Sequence, residues 1–176
     1  MEIQEKLEFA RREIAQEKAA LEAKMRREFS SRGQLPTTRR IKEFALAGRA
    51  FFTIVSKRTG RRFTYCVENP KDRVDRVVYF VKVLTGQNNE SDYQYLGTIF
   101  DNLHFSRTGA SRIDSMAESH VAFQWFWNYV VRPERDDTMD QVEVWHEGRC
   151  CRCGRKLTVP ESVESGVGPE CARRQR

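Results

Sequence analysis

Apolar residues recur at steps of three and four along residues 3–29, with Leu7, Ile14 and Leu21 spaced by sevens. This period indicates an amphipathic helix, and the residues between the apolar positions are mostly Glu, Lys, Arg and Ala, which favour helices. The apolar stripe is narrow, so the helix either docks along the body or pairs with a helix of a second copy or a partner. We expect docking, with the helix ending before the Ser-, Gly- and Pro-containing residues 30–36.

A short helix and four strands are predicted for the middle of the chain. Thr37 or Thr38 can cap a helix that ends at Gly48. The strands are predicted from runs of β-branched and aromatic residues between turn residues, at 50–56, 63–67, 77–84 and 93–100. The first two strands are expected to form a hairpin around the turn at residues 57–60, where Gly60 supplies a positive φ.

A mostly apolar segment, residues 117–131, follows this sheet in the sequence. Ser115 and Glu118 match a capping box, which marks the start of a helix. Because the segment is apolar nearly all round, the helix is expected to lie across the sheet with part of its back also covered. Trp125 and Trp127 are two residues apart and must point in different directions, so we expect only one of them in the core.

These elements predict an α+β fold with a long N-terminal helix, a four-stranded antiparallel sheet with a packed apolar helix, and a small C-terminal zinc module. The predicted units are an N-terminal helix with its linker at 1–36, an α+β body at 37–132, a linker at 133–141, and a zinc-binding module at 142–176.

The C-terminal segment contains the most specific chemistry of the chain, because four of the five cysteines lie there. Cys150 and Cys153 have the spacing of a zinc knuckle, and the glycine after Cys153 permits the tight bend that such a knuckle needs. Gly168 and Pro169 are a helix-start signal, so Cys171 is expected near a helix N-terminus. Structural disulfides are not expected, because no secretory signal is visible.

A fourth ligand would complete a tetrahedral site of the structural zinc type. His146, four residues before Cys150, and Cys151, directly after it, compete for this position. Adjacent side chains usually point apart, so we favour His146 and expect a Cys₃His zinc site of His146, Cys150, Cys153 and Cys171.

The tail also resembles a short zinc-binding domain of unknown function, the DUF6011 type. The resemblance covers about residues 145–174 and rests on three motifs, Cys-x-x-Cys-Gly-Arg-x-Leu-Thr, Pro-Glu-Ser and Gly-x-Gly-Pro-x-Cys. This domain has no settled activity. The resemblance therefore implies zinc and a setting in phages, plasmids or other mobile elements, but no reaction.

Basic residues suggest a partner. The chain has 31 Lys and Arg against 25 Asp and Glu, a net charge of +6, which is compatible with binding to nucleic acid. Basic side chains beside aromatic residues can hold phosphates and stack bases. The candidates lie at the predicted hairpin tip and in the loop after the fourth strand, and are Lys57, Arg58, Arg61, Arg62, Arg107 and Arg112.

Two functions are predicted on this basis. The first is a zinc-containing nucleic-acid-binding accessory protein of a phage or other mobile element. The alternative is a protein that binds and inhibits a host defence complex, protein or ribonucleoprotein, in the manner of an anti-CRISPR. No catalytic constellation and no membrane-length apolar stretch is visible, so we expect no enzymatic activity and no membrane partner. The expected location is the cytoplasm of a bacterial host.

Overall fold

The computed structural model describes residues 33–70 and 77–174, and the long helix predicted over residues 3–29 lies outside them. By its internal contacts the chain divides into residues 1–32 and 33–176, and the second unit contains every element named below.

Six strands and four α-helices form the described part of the chain. The strands are β1 (Arg49–Ser56), β2 (Arg62–Glu68), β3 (Tyr79–Leu84), β4 (Tyr93–Ile99), β5 (Phe105–Ser106) and β6 (Val142–His146). The α-helices are α1 (Thr38–Ala45), α2 (Glu118–Trp125), α3 (Pro160–Ser165) and α4 (Pro169–Arg173). A π-helical segment, Phe126–Val131, continues α2, and a 3-10 helix, Asp136–Gln141, precedes β6.

The prediction of a four-stranded sheet is wrong, because the sheet has six antiparallel strands in the order β5-β4-β3-β2-β1-β6. The four predicted strands are its centre. β6 adds to the free edge of β1, with Ile54 opposite Val144 and Phe52 opposite His146. β5 adds two residues to the edge of β4. The sequence assigned the β6 residues to the zinc module and the β5 residues to a loop, so both edges were missed.

The apolar helix lies across the sheet as predicted. The Tyr65 ring of β2 lies 4.8 Å from the Phe123 ring of α2, and its hydroxyl donates to the Ser119 carbonyl at 2.8 Å. Trp127 is fully buried, whereas Trp125 is 38% exposed, so the expectation that only one of them enters the core is confirmed.

The two predicted helix starts had different outcomes. The Thr37 side chain caps α1 by accepting the Arg40 N–H, which is one of the two caps that the sequence allowed. The capping box at Ser115 is wrong, because Ala117 is the N-cap residue of α2 and makes no side-chain cap. Glu118 instead pairs with Arg61, across the space between the helix and the β1–β2 turn.

The C-terminal segment packs against the sheet and against α1. The Arg49 N–H donates to the Cys151 carbonyl at 2.7 Å, and Cys151 is buried within the main hydrophobic core. At Gly48, which has a φ of +146°, a Cβ atom would lie 2.8 Å from the Arg152 carbonyl oxygen. Glycine therefore permits the close approach of the two backbones at this point.

Candidate metal centre and basic groove

Three cysteine side chains form a compact group, here called the cysteine cluster: Cys150, Cys153 and Cys171. Their sulfur atoms all lie within 4.8 Å of one another. Zinc bound tetrahedrally at about 2.3 Å from each thiolate holds its sulfurs about 3.8 Å apart, so small side-chain movements would close the cluster around one ion. Within residues 33–70 and 77–174, no further His, Cys, Asp or Glu joins this group.

A short hairpin positions the first two sulfurs. The Cys150 N–H donates to the Arg155 carbonyl at 2.8 Å, and the Gly154 N–H donates back to the Cys150 carbonyl at 2.8 Å. Gly154 has a φ of +73°, a left-handed conformation that glycine adopts at little cost. This is the tight bend that the spacing of Cys150 and Cys153 predicted.

Helix α4 brings in the third sulfur. It begins at Pro169 with Gly168 as its N-cap residue, as the sequence predicted, and it presents Cys171 in its first turn. The Arg152 guanidinium donates to the Cys171 carbonyl at 3.0 Å. A side chain of the hairpin thus fixes the helix that carries the third sulfur.

The environment of the cluster favours a thiolate at one position. Burial raises the pKa of the Cys150 thiol, but hydrogen bonds from surrounding groups outweigh this and lower the pKa to about 7. The backbone N–H groups that approach its sulfur belong to Gly168, Cys153 and Arg152. Burial and the neighbouring thiols raise the pKa of Cys171 to about 11, because negative charge is costly beside a thiolate. A cation at the centre of the cluster would offset this repulsion.

The structure does not bring the two candidate fourth ligands into the cluster. His146 lies in β6, where its ring stacks on Phe44 with centroids 5.4 Å apart and its Nδ1 accepts the Gly148 N–H at 3.0 Å. Cys151 is 3% exposed, and burial raises the pKa of its thiol to about 11. The assignment of His146 as the fourth ligand stays a prediction.

A second feature is a groove of about 930 Å³ between the β1–β2 turn and α2, here called the basic groove. The β1–β2 turn contributes basic side chains to its lining, namely Lys57, Arg58 and Arg61. Apolar side chains of β2, of α2 and of the residues before α2 also line it, among them Phe63, Met116, Val121 and Trp125. Two acidic residues, Glu118 and Asp140, also line it, so the lining carries more positive than negative charge.

The six basic residues predicted to bind a partner do not all lie at this groove. Arg62 is exposed on β2, opposite Val55, and does not line it. Arg107 donates to the carbonyls of Ser111 and Ile113, at 3.0 and 2.8 Å, and thus holds its own loop together. Arg112 is exposed outside the groove.

Sequence reasoning left one of the two tryptophans of this helix for the N-terminal helix or for a partner, but it did not place that tryptophan beside the basic turn. Val121 and Trp125 are four residues apart, so they share one face of α2, and both are partly exposed there. The signal was present in the sequence, because the predicted helix had more apolar residues than one buried face needs.

Among the described residues, no helix combines the length and apolar character needed to cross a membrane.

Residues 143–176 match the model of a family of unknown function (DUF6011), which confirms the resemblance seen in the tail motifs. The matched segment begins within β6 and contains the whole cysteine cluster. No curated protein and no solved structure matches the chain. The comparisons therefore support the tail as a recurring unit and assign no activity to it.

Proposed function

We propose that this chain is a zinc-containing, nucleic-acid-binding accessory protein that acts without enzymatic activity. The observation that carries the proposal is the basic groove, which is lined by Lys57, Arg58 and Arg61 and by an exposed aromatic side chain, Trp125. The role in a phage or other mobile element is part of this proposal and rests on the family resemblance of the tail.

The cysteine cluster supports zinc. Three thiolates are soft donors that zinc accepts in tetrahedral geometry, and Cys150 is already poised to ionise near neutral pH. Bound zinc would link the hairpin of Cys150 and Cys153 to helix α4, which is a structural role. Elemental analysis of the purified protein should give one zinc per chain, and Cys153→Ser should abolish it. Purified protein that contains no stoichiometric amount of metal would contradict the assignment.

The fourth ligand can be tested with the same preparation. If His146 completes the site, His146→Ala should change the visible spectrum of the cobalt-substituted protein and weaken zinc binding. Cys151→Ala serves as the matched control, since its side chain is the competing candidate. An unchanged cobalt spectrum in His146→Ala would exclude the imidazole as a ligand.

The basic groove supports a polyanionic partner. Phosphate contacts by Lys and Arg release counterions, so the affinity for nucleic acid should fall steeply with salt. Arg58→Ala should weaken binding and reduce the salt slope by about one contact. Arg112→Ala is the matched control, because Arg112 is also an exposed arginine but lies outside the groove. Equal effects of the two substitutions would show that the groove is not the binding site.

A protein partner is the second candidate. Val121, Trp125 and Tyr129 are spaced by four residues along one helical face and are 46%, 38% and 63% exposed. An apolar stripe of this kind also suits a protein surface, as an inhibitor of a host complex would need. The absence of binding to any nucleic acid at low salt would make this the preferred function.

A further inference from the structure

The two sides of the basic groove have different chemistry. The turn after β1 contributes the cations Arg58 and Lys57, and the Lys57 Nζ also donates to the Met139 carbonyl at 3.4 Å. Helix α2 contributes Trp125 and Val121, together with Glu118. A ligand with negative charge along one edge and an apolar face along the other would contact both the cations and Trp125.

From this asymmetry we propose that the groove binds unpaired nucleotides, with a base stacked on Trp125 and the adjoining phosphates held by Lys57 and Arg58. The inference rests on the proposed nucleic-acid-binding function and specifies the form of nucleic acid. A single strand exposes phosphates on one edge and base faces on the other, whereas a duplex hides its base faces inside the stack.

The exposure of Trp125 supports this assignment. The neighbouring Trp127 is fully buried and donates its Nε1–H to the Leu103 carbonyl at 3.0 Å, so it has a structural partner. Trp125 is 38% exposed and lines the groove, where its indole is accessible to a ligand. Indole is a large stacking surface, and every base offers a face to it, so the interaction tolerates any sequence.

The size of the groove agrees with a ligand of this class. Its volume of about 930 Å³ lies within the range of about 300–1,000 Å³ in which sites bury small molecules. The Arg61–Glu118 ion pair joins the β1–β2 turn to α2, since Arg61 lies in that turn and Glu118 is the first residue of α2. A phosphate that approaches Arg61 must compete with this carboxylate.

The test compares labelled fifteen-nucleotide single strands of deoxythymidine and of uridine with a DNA duplex of the same length, by fluorescence anisotropy at low salt. The single strand should bind more tightly than the duplex, and tryptophan fluorescence should be quenched on binding. Trp125→Ala should weaken single-strand binding by about 5- to 150-fold, the range measured for loss of one stacked base. The two single strands distinguish DNA from RNA as the preferred source.

Tyr129→Ala is the matched control, because Tyr129 is an exposed aromatic residue of the same helical region that does not line the groove. It should change the affinity less than about twofold, and Trp125→Phe should retain much of the binding of the unmodified protein. Circular dichroism confirms that each variant is folded.

The outcomes separate the inference from the function on which it rests. Equal or tighter duplex binding, or equal effects of Trp125→Ala and Tyr129→Ala, would overturn the stacking inference. The proposed nucleic-acid binding would still stand in that case if Arg58→Ala weakened binding. No binding to any of the three nucleic acids would overturn both.

Discussion

Substitution of the two neighbouring tryptophans tests how α2 and its continuation are packed. Trp127 is fully buried, its ring is parallel to that of Phe123 at 6.0 Å, and its Nε1–H donates to the Leu103 carbonyl at 3.0 Å. Trp127→Ala therefore removes a core side chain, leaves a closed cavity and breaks a hydrogen bond. The expected loss in the free energy of unfolding is about 3–5 kcal/mol.

Trp125→Ala should cost much less, about 1 kcal/mol. The side chain is 38% exposed and opens onto the basic groove, so solvent replaces it and no closed cavity remains. Alanine also has the highest helix propensity, which offsets part of the lost contact. Trp127→Phe keeps an aromatic ring but loses the hydrogen bond to Leu103. Its loss in the free energy of unfolding should therefore lie between those of Trp125→Ala and Trp127→Ala.

The measurement is equilibrium unfolding in urea followed by far-ultraviolet circular dichroism, since tryptophan fluorescence changes with the substitutions themselves. The denaturant slope should stay constant across the series, so that the shift in midpoint reports stability. Equal losses for Trp125→Ala and Trp127→Ala would refute the packing described above. A loss below about 1 kcal/mol for Trp127→Ala would do the same, because no fully buried tryptophan could then be present.

Three further perturbations have defined outcomes. If the groove binds nucleic acid as proposed, Glu118→Gln should free Arg61 and tighten that binding at low salt. The fall of log K with log salt in a single-strand titration should then become steeper by about 0.7. If the cysteine cluster holds zinc as proposed, its removal by a chelator, or Cys153→Ser, should lower the unfolding midpoint of the sheet together with that of the tail. One transition by circular dichroism is expected, and two separate transitions would contradict this. Hydrogen bonds from the Thr38 N–H and hydroxyl, both 2.7 Å, hold the pKa of Asp136 below its ordinary value of 3.8. The charged form therefore stabilises the fold above pH 3.8, and Asp136→Asn should be less stable than the unmodified protein at pH 7, with the difference shrinking as the pH falls through the lowered pKa.

Local signals predicted the elements whose partners are near in sequence. The β1–β2 hairpin closes at Gly60, which has a φ of +70°, and the two strands pair antiparallel, with Val55 opposite Arg62 next to the turn. The cysteine cluster was predicted for the same reason, because two of its sulfurs lie three residues apart and the third follows a Gly-Pro helix start. The spacing fixes the positions of the first two sulfurs, and the third also depends on the contact between Arg152 and the Cys171 carbonyl.

The two edge strands depend on contacts that local sequence does not encode. β6 alternates between buried and half-buried residues, but its partner β1 lies far away in the sequence. β5 consists of Phe105 and Ser106, and the Asn128 side chain holds it by hydrogen bonds to the Phe105 N–H and carbonyl, both 2.9 Å. A two-residue strand that relies on a side chain from a distant helix has no pattern of its own.

The basic residues show the same limit for binding sites. The sequence does not distinguish Arg58 from Arg107, since both are arginines of predicted loops. Only Arg58 lines the groove, whereas Arg107 donates to carbonyls of its own loop. A guanidinium satisfied by backbone carbonyls is less available to phosphate. Which arginines bind a partner is therefore decided by the loop conformation.

The position of Cys151 explains why the metal-binding tail and the sheet should unfold together, although the sequence suggested that the tail is a separable module. Its backbone accepts the Arg49 N–H of β1 at 2.7 Å and donates to the Gly166 carbonyl at 3.0 Å, while its side chain lies in the main core. Cys150 and Cys153, on either side of it in the chain, supply two of the three clustered sulfurs. An ion that held those two residues would also hold the strand-end contact of Cys151 between them, so part of its binding free energy would stabilise the sheet.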